Sequence, residues 1–153
     1  MSRRNGFTLI EVMIAVVIFG ILVAVVYPRV GQVLAKNDVR SARTTLANTF
    51  ARARAVAMQR SRQASVNING NSIVVTAKPR TAAGAGTMDS IGAVQNLNAL
   101  YGVTVSPSVT MTSVDYDPRG FAAGLSATPV YIVVSRSGKR DSVSLDYLGR
   151  VTK

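Results

Sequence analysis

The sequence contains no cysteine, no histidine and no tryptophan among its 153 residues. The absence of cysteine excludes disulfides and thiol chemistry. The absence of both cysteine and histidine removes the usual zinc ligands and the imidazole base of a catalytic triad. These absences argue against an enzyme and predict that no metal or other cofactor is bound. A structural, binding or interaction protein is the class that remains.

Acidic residues are also scarce. Lysine and arginine number 18 against 7 aspartates and glutamates, which gives a formal net charge of +11, while 48% of the residues are hydrophobic. That apolar content supplies a core, so the charge does not indicate disorder, and the length suits one domain with an appendage. The basic excess instead predicts an anionic neighbour, either phospholipid or nucleic acid.

A long apolar run extends from Phe7 to Tyr27 and reads FTLIEVMIAVVIFGILVAVVY. As a helix it is about 31 Å long, which matches the hydrocarbon core of a bilayer. It is longer than the apolar part of a secretory signal peptide, and Tyr27-Pro28-Arg29 follows it rather than a small-residue cleavage site. The run is therefore predicted to be a transmembrane helix. Basic residues flank it on both sides, so charge leaves its orientation open.

Glu11 is the only glutamate of the chain and lies inside this apolar run. A carboxylate in hydrocarbon costs about 3 kcal/mol unless it is protonated or paired with a cation. One interpretation is an acid that is tolerated near a helix end. Because the run contains no lysine or arginine, we favour the other interpretation, in which Glu11 has a partner outside this helix.

The beginning of the chain closely resembles the class III leader of type IV pilins and type II secretion pseudopilins. The short basic leader MSRRNG is followed by the apolar helix that starts FTLIE. The resemblance implies that a prepilin peptidase cuts after Gly6 and N-methylates Phe7. It also implies that Glu11 pairs with the N-terminal ammonium of a neighbouring subunit, so that each buried charge compensates the other. Gly20 and Pro28 lie where pilin helices commonly carry a glycine and a kinking proline.

A helical pattern resumes after Pro28, so this proline is predicted to bend the helix rather than to end it. Apolar residues then recur at spacings of three and four, which predicts a stripe that packs on a sheet. The stripe consists of Val39, Ala42, Leu46, Phe50, Ala53 and Ala57.

A basic ridge follows the same helix, within a sector of about 60° beside the stripe. It consists of Arg29, Lys36, Arg40, Arg43 and Arg54. A solvated helix face is the interpretation we favour for the ridge. Contact with anionic lipid headgroups, or with acidic groups of adjacent subunits, is the functional alternative.

Strand patterns occupy the rest of the chain. Residues 64–69 and 72–77 flank Gly70-Asn71, which is a strong hairpin signal. The stretch 78–92, rich in glycine and small residues, is predicted to be a mobile loop. Another strand is predicted over 109–116, ended by a turn that begins at Asp117-Pro118.

The clearest pair of strands is predicted over 130–136 and 141–148. Val143, Leu145 and Tyr147 alternate with polar residues, which predicts one buried and one wet face. Residues 137–140 are predicted to form the tight turn between the two strands.

The same half of the chain resembles the GspH/FimT branch of the pilin superfamily, which includes type II secretion protein H and related minor pilins. The resemblance rests on DPRGFAAG, a strand, SRSGKR, and a strand that ends in LGRVTK, and it leaves about 71–108 unmatched. It implies an α+β, pilin-like fold in which a long kinked N-terminal helix, transmembrane in its first half, packs on antiparallel β-sheets. The predicted domains are a leader (1–6), a transmembrane and assembly half-helix (7–28), an amphipathic half-helix (29–63) and a β-domain with a basic tail (64–153).

Positive charge is concentrated in the last third of the chain. Arg136, Lys139 and Arg140 are predicted to cluster at one hairpin turn, and Arg150 and Lys153 to lie on a flexible tail. In FimT-like minor pilins a C-terminal GRxR element binds incoming DNA.

Gly149-Arg150 matches the first half of that GRxR element, whereas Thr152 replaces its second arginine. The predicted cluster at the hairpin turn and this match on the tail together give the candidate DNA-binding residues, which are Arg136, Lys139, Arg140, Gly149, Arg150 and Lys153. A few phosphate contacts give weak and salt-dependent affinity, and the tail has no aromatic residue for base stacking. We therefore favour ordinary solvating or filament-contact charge over DNA binding here.

The predicted function is that of a non-enzymatic minor pilin or pseudopilin, a structural subunit of a type IV pilus or of a type II secretion pseudopilus. It is expected to be anchored by a single span in the bacterial inner membrane, with its C-terminal domain in the periplasm. Its expected partners are prepilin peptidase and other pilins. The alternative is a DNA-binding minor pilin that captures DNA for uptake in natural transformation.

Overall fold

The chain begins with a long helix, α1, which extends from Leu9 to Arg60. A computed structural model describes residues 7–79, 88–125 and 128–152. The helix continues through position 28, as predicted, so the proline there does not end it. The chain divides into two compact units, Met1–Leu34 and Ala35–Lys153, which are described in turn.

The described part of the first unit is an apolar helix segment with exposed side chains. Its large hydrophobic residues are 47–89% exposed between Phe7 and Leu34. An 18-residue window of α1 has a mean hydropathy of 3.1, and none of that window is buried. By length and composition this segment can cross a membrane.

The second unit buries the predicted apolar stripe of α1. All six stripe residues are buried, and Leu46 and Phe50 have no exposed surface. They belong to a core that also includes Val66, Ile132 and Leu145 from the strands. The helix spacing of three and four therefore predicted correctly which face of α1 lies against the sheets.

Helix α1 ends in a Schellman motif. Ser61 has a left-handed φ of 51°. Its N–H donates to the Met58 carbonyl at 3.3 Å, and the Arg62 N–H donates to the Ala57 carbonyl at 3.1 Å. These bonds satisfy carbonyls at the end of the helix and direct the chain into the first strand.

Within the described residues, the strands form two antiparallel sheets. Their bounds, with those of the short helix α2, are β1 Ala64–Asn69, β2 Ser72–Ala77, β3 Asp89–Ser90, β4 Gln95–Asn96, α2 Leu97–Tyr101, β5 Thr104–Pro107, β6 Ser113–Tyr116, β7 Ala122–Ala123, β8 Val130–Arg136, β9 Lys139–Leu145 and β10 Val151–Thr152. In the described part of the chain the first sheet has the order β3-β2-β1-β6-β7, with β4 also paired to β2. The second has the order β10-β9-β8-β5.

The two predicted hairpins are present, with differences at their ends. Strands β1 and β2 have the predicted bounds and pair from Ala64 with Ala77 to Asn69 with Ser72. Strand β9 begins at Lys139, so the turn between β8 and β9 contains only Ser137 and Gly138. Both turn residues have positive φ, 46° and 77°, which suits the twist of a two-residue hairpin.

Several local predictions were wrong. Strand β9 stops at Leu145, so Tyr147 is 45% exposed rather than buried. Strand β6 begins only at Ser113, and residues 109–112 are not a strand. In the predicted loop 78–92, Asp89–Ser90 pairs with β2 as β3, whereas 80–87 lie outside the described residues.

The predicted flexible tail is also a strand in its described part. Val151 and Thr152 pair with Leu145 and Ser144 of β9. Three further elements, β4, α2 and β5, come from a stretch where no structure was predicted. Strand β5 pairs with β8 from Thr104 with Ser135 to Pro107 with Ile132.

Candidate functional site

The first turn of α1 contains a capping box that joins Thr8 to Glu11. The N–H and the hydroxyl of Thr8 donate to Oε2 of Glu11 at 3.0 and 2.9 Å. The N–H of Glu11 donates back to the Thr8 hydroxyl at 3.3 Å. These bonds satisfy N–H groups that have no partner within the helix, and the carboxylate lies at the positive end of the helix dipole.

This capping role of Glu11 is absent from the sequence prediction, although its signal is present. Threonine followed three residues later by glutamate before an apolar run is the sequence signature of a capping box. Phe7, at the predicted cleavage site, is 89% exposed, and Gly6 lies outside the described residues. At Gly20 an added Cβ meets no atom of the described residues within 4 Å, so contacts within that part of the chain do not require a glycine here.

The predicted basic ridge divides into an exposed and a partly buried part. Arg29, Lys36 and Arg40 are exposed, in agreement with a solvated face. Arg43 is different, because its Nη1 lies 3.0 Å from Oδ2 of Asp141 and its side chain is only 21% exposed. Arg54 is also half-buried, so the β-domain covers part of the ridge.

Arg136 is engaged in contacts within the chain. Its Nη1 donates to Oδ2 of Asp38 and, at 2.6 Å, to the carbonyl of Tyr101. Gly102 follows Tyr101 with a φ of 63°, and a Cβ at that position would lie 3.1 Å from the guanidinium carbon. The charge of Arg136 is therefore compensated by an acid of α1, and glycine allows the close approach.

The hairpin turn brings three of the candidate DNA-binding residues together, as predicted. Arg136 pairs with Lys139 across the turn, and Ser135 pairs with Arg140. Lys139 and Arg140 are exposed, whereas Arg136 is only partly so. Two cations of this trio are thus presented to solvent.

Arg150 does not join this cluster. Strand β10 pairs with Leu145 and Ser144, at the end of β9 that lies opposite to the hairpin turn. At 3.4 Å per residue, Leu145 is about 17 Å from Arg140 along the strand. Arg150 is exposed, and Lys153 lies outside the described residues. The predicted candidate residues therefore occupy two separate places on the surface.

Gly149 has a structural constraint of its own. Its φ is 72°, and a Cβ there would lie 2.2 Å from the carbonyl oxygen of Gly120. Its N–H donates to the Asp146 carbonyl at 2.9 Å. The glycine that matches the GRxR element is thus the one residue type that fits this turn.

Two titratable groups beside Gly149 and Gly120 have shifted pKa values. Burial raises the pKa of the Tyr116 phenol well above its usual value, and the charge of Arg54 offsets only part of this effect. At Asp117, desolvation raises the pKa, but hydrogen bonds from Phe121 and Arg119 outweigh it and hold the pKa below its usual value. Asp117 orders the turn at 117–121, because its Oδ1 accepts from the N–H groups of Arg119 and Phe121 at 2.9 Å. Within the described residues no group of three or more potential metal ligands is found.

The exposed apolar start of α1 and the packing of its second half on antiparallel sheets together define a pilin-like fold. Residues 1–27 match the family model of the prokaryotic N-terminal methylation motif. The motif and the fold support assignment to the pilin-like superfamily. They suit membrane anchoring and incorporation into a pilus, and the motif implies processing by a prepilin peptidase and assembly with other pilins.

The fold is similar to that of the type IV minor pilin FimU from Pseudomonas aeruginosa strain PAO1. With one crystal form (space group P21) the TM-score is 0.61 at 15% identity, covering 76% of this chain and 87% of FimU. With a second form (P65) it is 0.58 at 15% identity, covering 74% and 90%. At this identity the likeness shows the fold alone. A comparison with curated proteins gave no match.

Proposed function

We propose that this chain is a membrane-anchored minor pilin or pseudopilin, a non-enzymatic structural subunit of a type IV pilus or of a type II secretion pseudopilus. The observation that carries the proposal is the exposed apolar segment of α1 with the methylation motif at its start. An unburied segment of this hydropathy requires either lipid or other apolar helices around it. A bilayer before assembly and a bundle of like helices afterwards meet that requirement.

In the proposed pathway a prepilin peptidase cuts after Gly6 and methylates Phe7. The helix remains in the inner membrane, with the β-domain in the periplasm, until it is transferred to the filament. Glu11 then receives the N-terminal ammonium of a neighbouring subunit, and Gly20 and Pro28 belong to the same assembly segment. The capping box supports this role, because it orders the Glu11 carboxylate at the start of the helix before a partner arrives.

The C-terminal pattern DPRGFAAG to LGRVTK favours the GspH/FimT branch and a type II secretion protein H-like subunit. The alternative is a FimT-like minor pilin that binds DNA for uptake. The exposed Lys139, Arg140 and Arg150 favour this alternative. The partners of Arg136 and the separation of Arg150 from the hairpin turn favour a structural subunit without a dedicated DNA site.

Two substitutions separate the capping role of Glu11 from its charge. Glu11→Gln retains a side chain that serves in a capping box but removes the charge. Thr8→Val retains the charge and removes the capping hydroxyl, which costs about 1 kcal/mol. Both variants are made in the full chain and produced with prepilin peptidase; the mature N-terminus is read by mass spectrometry and incorporation by immunoblot of sheared filaments.

We expect both variants to be processed, and only Glu11→Gln to lose incorporation by more than about tenfold, because an unpaired partner of a buried ion pair costs about 3–5 kcal/mol. Normal incorporation of Glu11→Gln contradicts the pairing role. Equal loss in both variants assigns Glu11 to helix capping instead. Failure to cleave the unmodified chain after Gly6 contradicts the proposed function as a whole.

A further inference from the structure

Four exposed cations lie at the end of the second unit from which the apolar part of α1 continues. They are Lys36, Arg40, Lys139 and Arg140, and we refer to them as the basic collar. We propose that the basic collar binds the phosphates of anionic phospholipids next to the membrane anchor. This inference rests on the proposed anchoring of α1 in a bilayer.

Two ion pairs place Lys139, on the face of β9 that carries Asp141, beside the helix cations. Arg140 lies at the same end of β9 on its opposite face. Arg136 meets Asp38, and Arg43 meets Asp141. Along the axis of α1, residues 38 and 43 are about 7.5 Å apart. Along β9, Asp141 lies about 6.8 Å from Lys139, which is the cross-strand neighbour of Arg136. These similar advances indicate that β9 runs alongside α1 here, with Lys139 near the level of Asp38 along the helix axis, between Lys36 and Arg40.

Among the described residues, no ion pair involves a collar cation. In the stretches 35–43 and 136–141 there are six basic and two acidic residues. Both acids, Asp38 and Asp141, are occupied by Arg136 and Arg43. The four collar cations therefore form a patch of uncompensated positive charge, which attracts anions.

The position of the collar along α1 suits a lipid headgroup. Lys36 follows Tyr27, the end of the apolar run, by about 14 Å of helix. The headgroup layer of one leaflet is about 5–7 Å thick, and the Debye length is about 8 Å at physiological salt. With Tyr27 at the hydrocarbon boundary, as the proposed anchoring requires, Lys36 would lie about one Debye length from the headgroup layer, and its long side chain could extend towards the phosphates.

The apolar residues just before the collar are also exposed. Val30, Val33 and Leu34 are 49–57% exposed, and Lys36 follows two positions after Leu34. Apolar residues followed directly by basic ones are typical of segments at a membrane interface. Anchoring raises the effective concentration of headgroups at the collar, an advantage that nucleic acid in solution does not have.

The test uses the full chain in vesicles and exploits its lack of cysteine. Ser137→Cys in the hairpin turn is labelled with a fluorophore, and quenching is measured with spin-labelled lipid headgroups. The vesicles contain phosphatidylcholine alone or with phosphatidylglycerol. Lys78→Cys is the matched label site, because Lys78 is exposed and bonded to Gln63, beyond the far end of α1.

We expect quenching at position 137 to increase with phosphatidylglycerol and to decline with added salt, while position 78 stays unchanged. Lys139→Gln/Arg140→Gln is expected to reduce contact of the hairpin turn with the headgroups. The ratio of headgroup-bound to unbound turn should fall by about fivefold for each cation removed. Arg60→Gln/Arg62→Gln, the charge-matched control, is expected to have no effect.

Quenching that is independent of phosphatidylglycerol overturns the inference and leaves the proposed function intact. A second result also overturns the inference. If phosphatidylcholine vesicles that carry the protein retain duplex DNA, and Lys139→Gln/Arg140→Gln abolishes this retention, the collar binds nucleic acid. A label at Ala24→Cys reports insertion through quenchers in the acyl chains. If that label is not quenched, the anchor of the proposed function fails, and the inference fails with it.

Discussion

Gly149 occupies a position that no other residue type fits. Its φ of 72° lies in the left-handed region, and a Cβ would approach the Gly120 carbonyl oxygen to 2.2 Å. Gly149→Ala therefore carries both a conformational and a steric penalty. We expect it to lower the free energy of unfolding by about 3 kcal/mol or more, measured by thermal unfolding of the full chain in detergent.

The matched control is Gly138→Ala in the hairpin turn. Gly138 has a similar φ of 77°, and an added Cβ meets no atom within 4 Å. It should cost only the conformational penalty, about 1–2 kcal/mol. Equal losses at the two positions would show that the Gly120 carbonyl moves aside and that the close approach carries no energy.

At the scale of the element, the hairpin β8–β9 is fixed on α1 by Arg136. This residue bonds both Asp38 and the Tyr101 carbonyl, so it joins the helix, the hairpin and the end of α2. Arg136→Ala leaves these partly buried acceptors without a donor. We expect it to lower the free energy of unfolding by about 2 kcal/mol.

Lys139→Ala is the control for this prediction, because Lys139 is the cross-strand neighbour of Arg136 and is exposed. It should change stability by no more than about 0.5 kcal/mol. Thermal unfolding in detergent compares the two variants. Equal effects would mean that solvation of the turn, rather than the contacts of Arg136, determines its stability.

Elements with a strong local signal were predictable from the sequence. The β1–β2 hairpin has an apolar alternation on both sides of a glycine turn, and the stripe of α1 repeats over several turns. The short strands carry no such signal, because distant groups hold them. Val105 of β5 donates to the Asn71 side chain at 2.9 Å, and Ala122 of β7 donates to the Tyr147 carbonyl at 2.9 Å.

The candidate functional residues also divide into those with a local sequence signal and those whose partners are distant in the sequence. The start of α1 was predictable because its motif is contiguous, and even the capping box of Thr8 and Glu11 was legible in the sequence. The pairing of Arg136 with Asp38 was not, because the two residues are 98 positions apart. A count of basic residues treats Arg136, Lys139 and Arg140 alike, whereas only the fold shows which one already has an acidic partner.

At the scale of the whole molecule, the net charge of +11 does not by itself make a DNA receptor. Lys139 and Arg140 lie at one end of β9 and Arg150 lies beyond the other, while the exposed Arg119 is paired with Asp117. We expect Arg150→Gln/Lys153→Gln to leave DNA retention by the full chain in nanodiscs unchanged, in mobility-shift titrations over a salt series.

If Arg150 and Lys153 both bind phosphates, the double substitution should instead lower the slope of log K against log salt by about 1.8. That outcome would favour the DNA-uptake alternative over a purely structural subunit. Lys139→Gln/Arg140→Gln removes the same charge at the other end of β9. It shows whether any retained DNA depends on position or only on total charge.

The separation along the chain between α1 and its covering strands determines when its stripe is buried during synthesis. Arg43 meets Asp141 across 98 residues, and at a translation rate of about 5–20 residues per second that interval takes about 5–20 s. Leu46 and Phe50 are synthesised early, and water is excluded from them only after the last hairpin has been synthesised and has packed on α1. The largest helical core residues of the nascent chain therefore stay in contact with water throughout that interval.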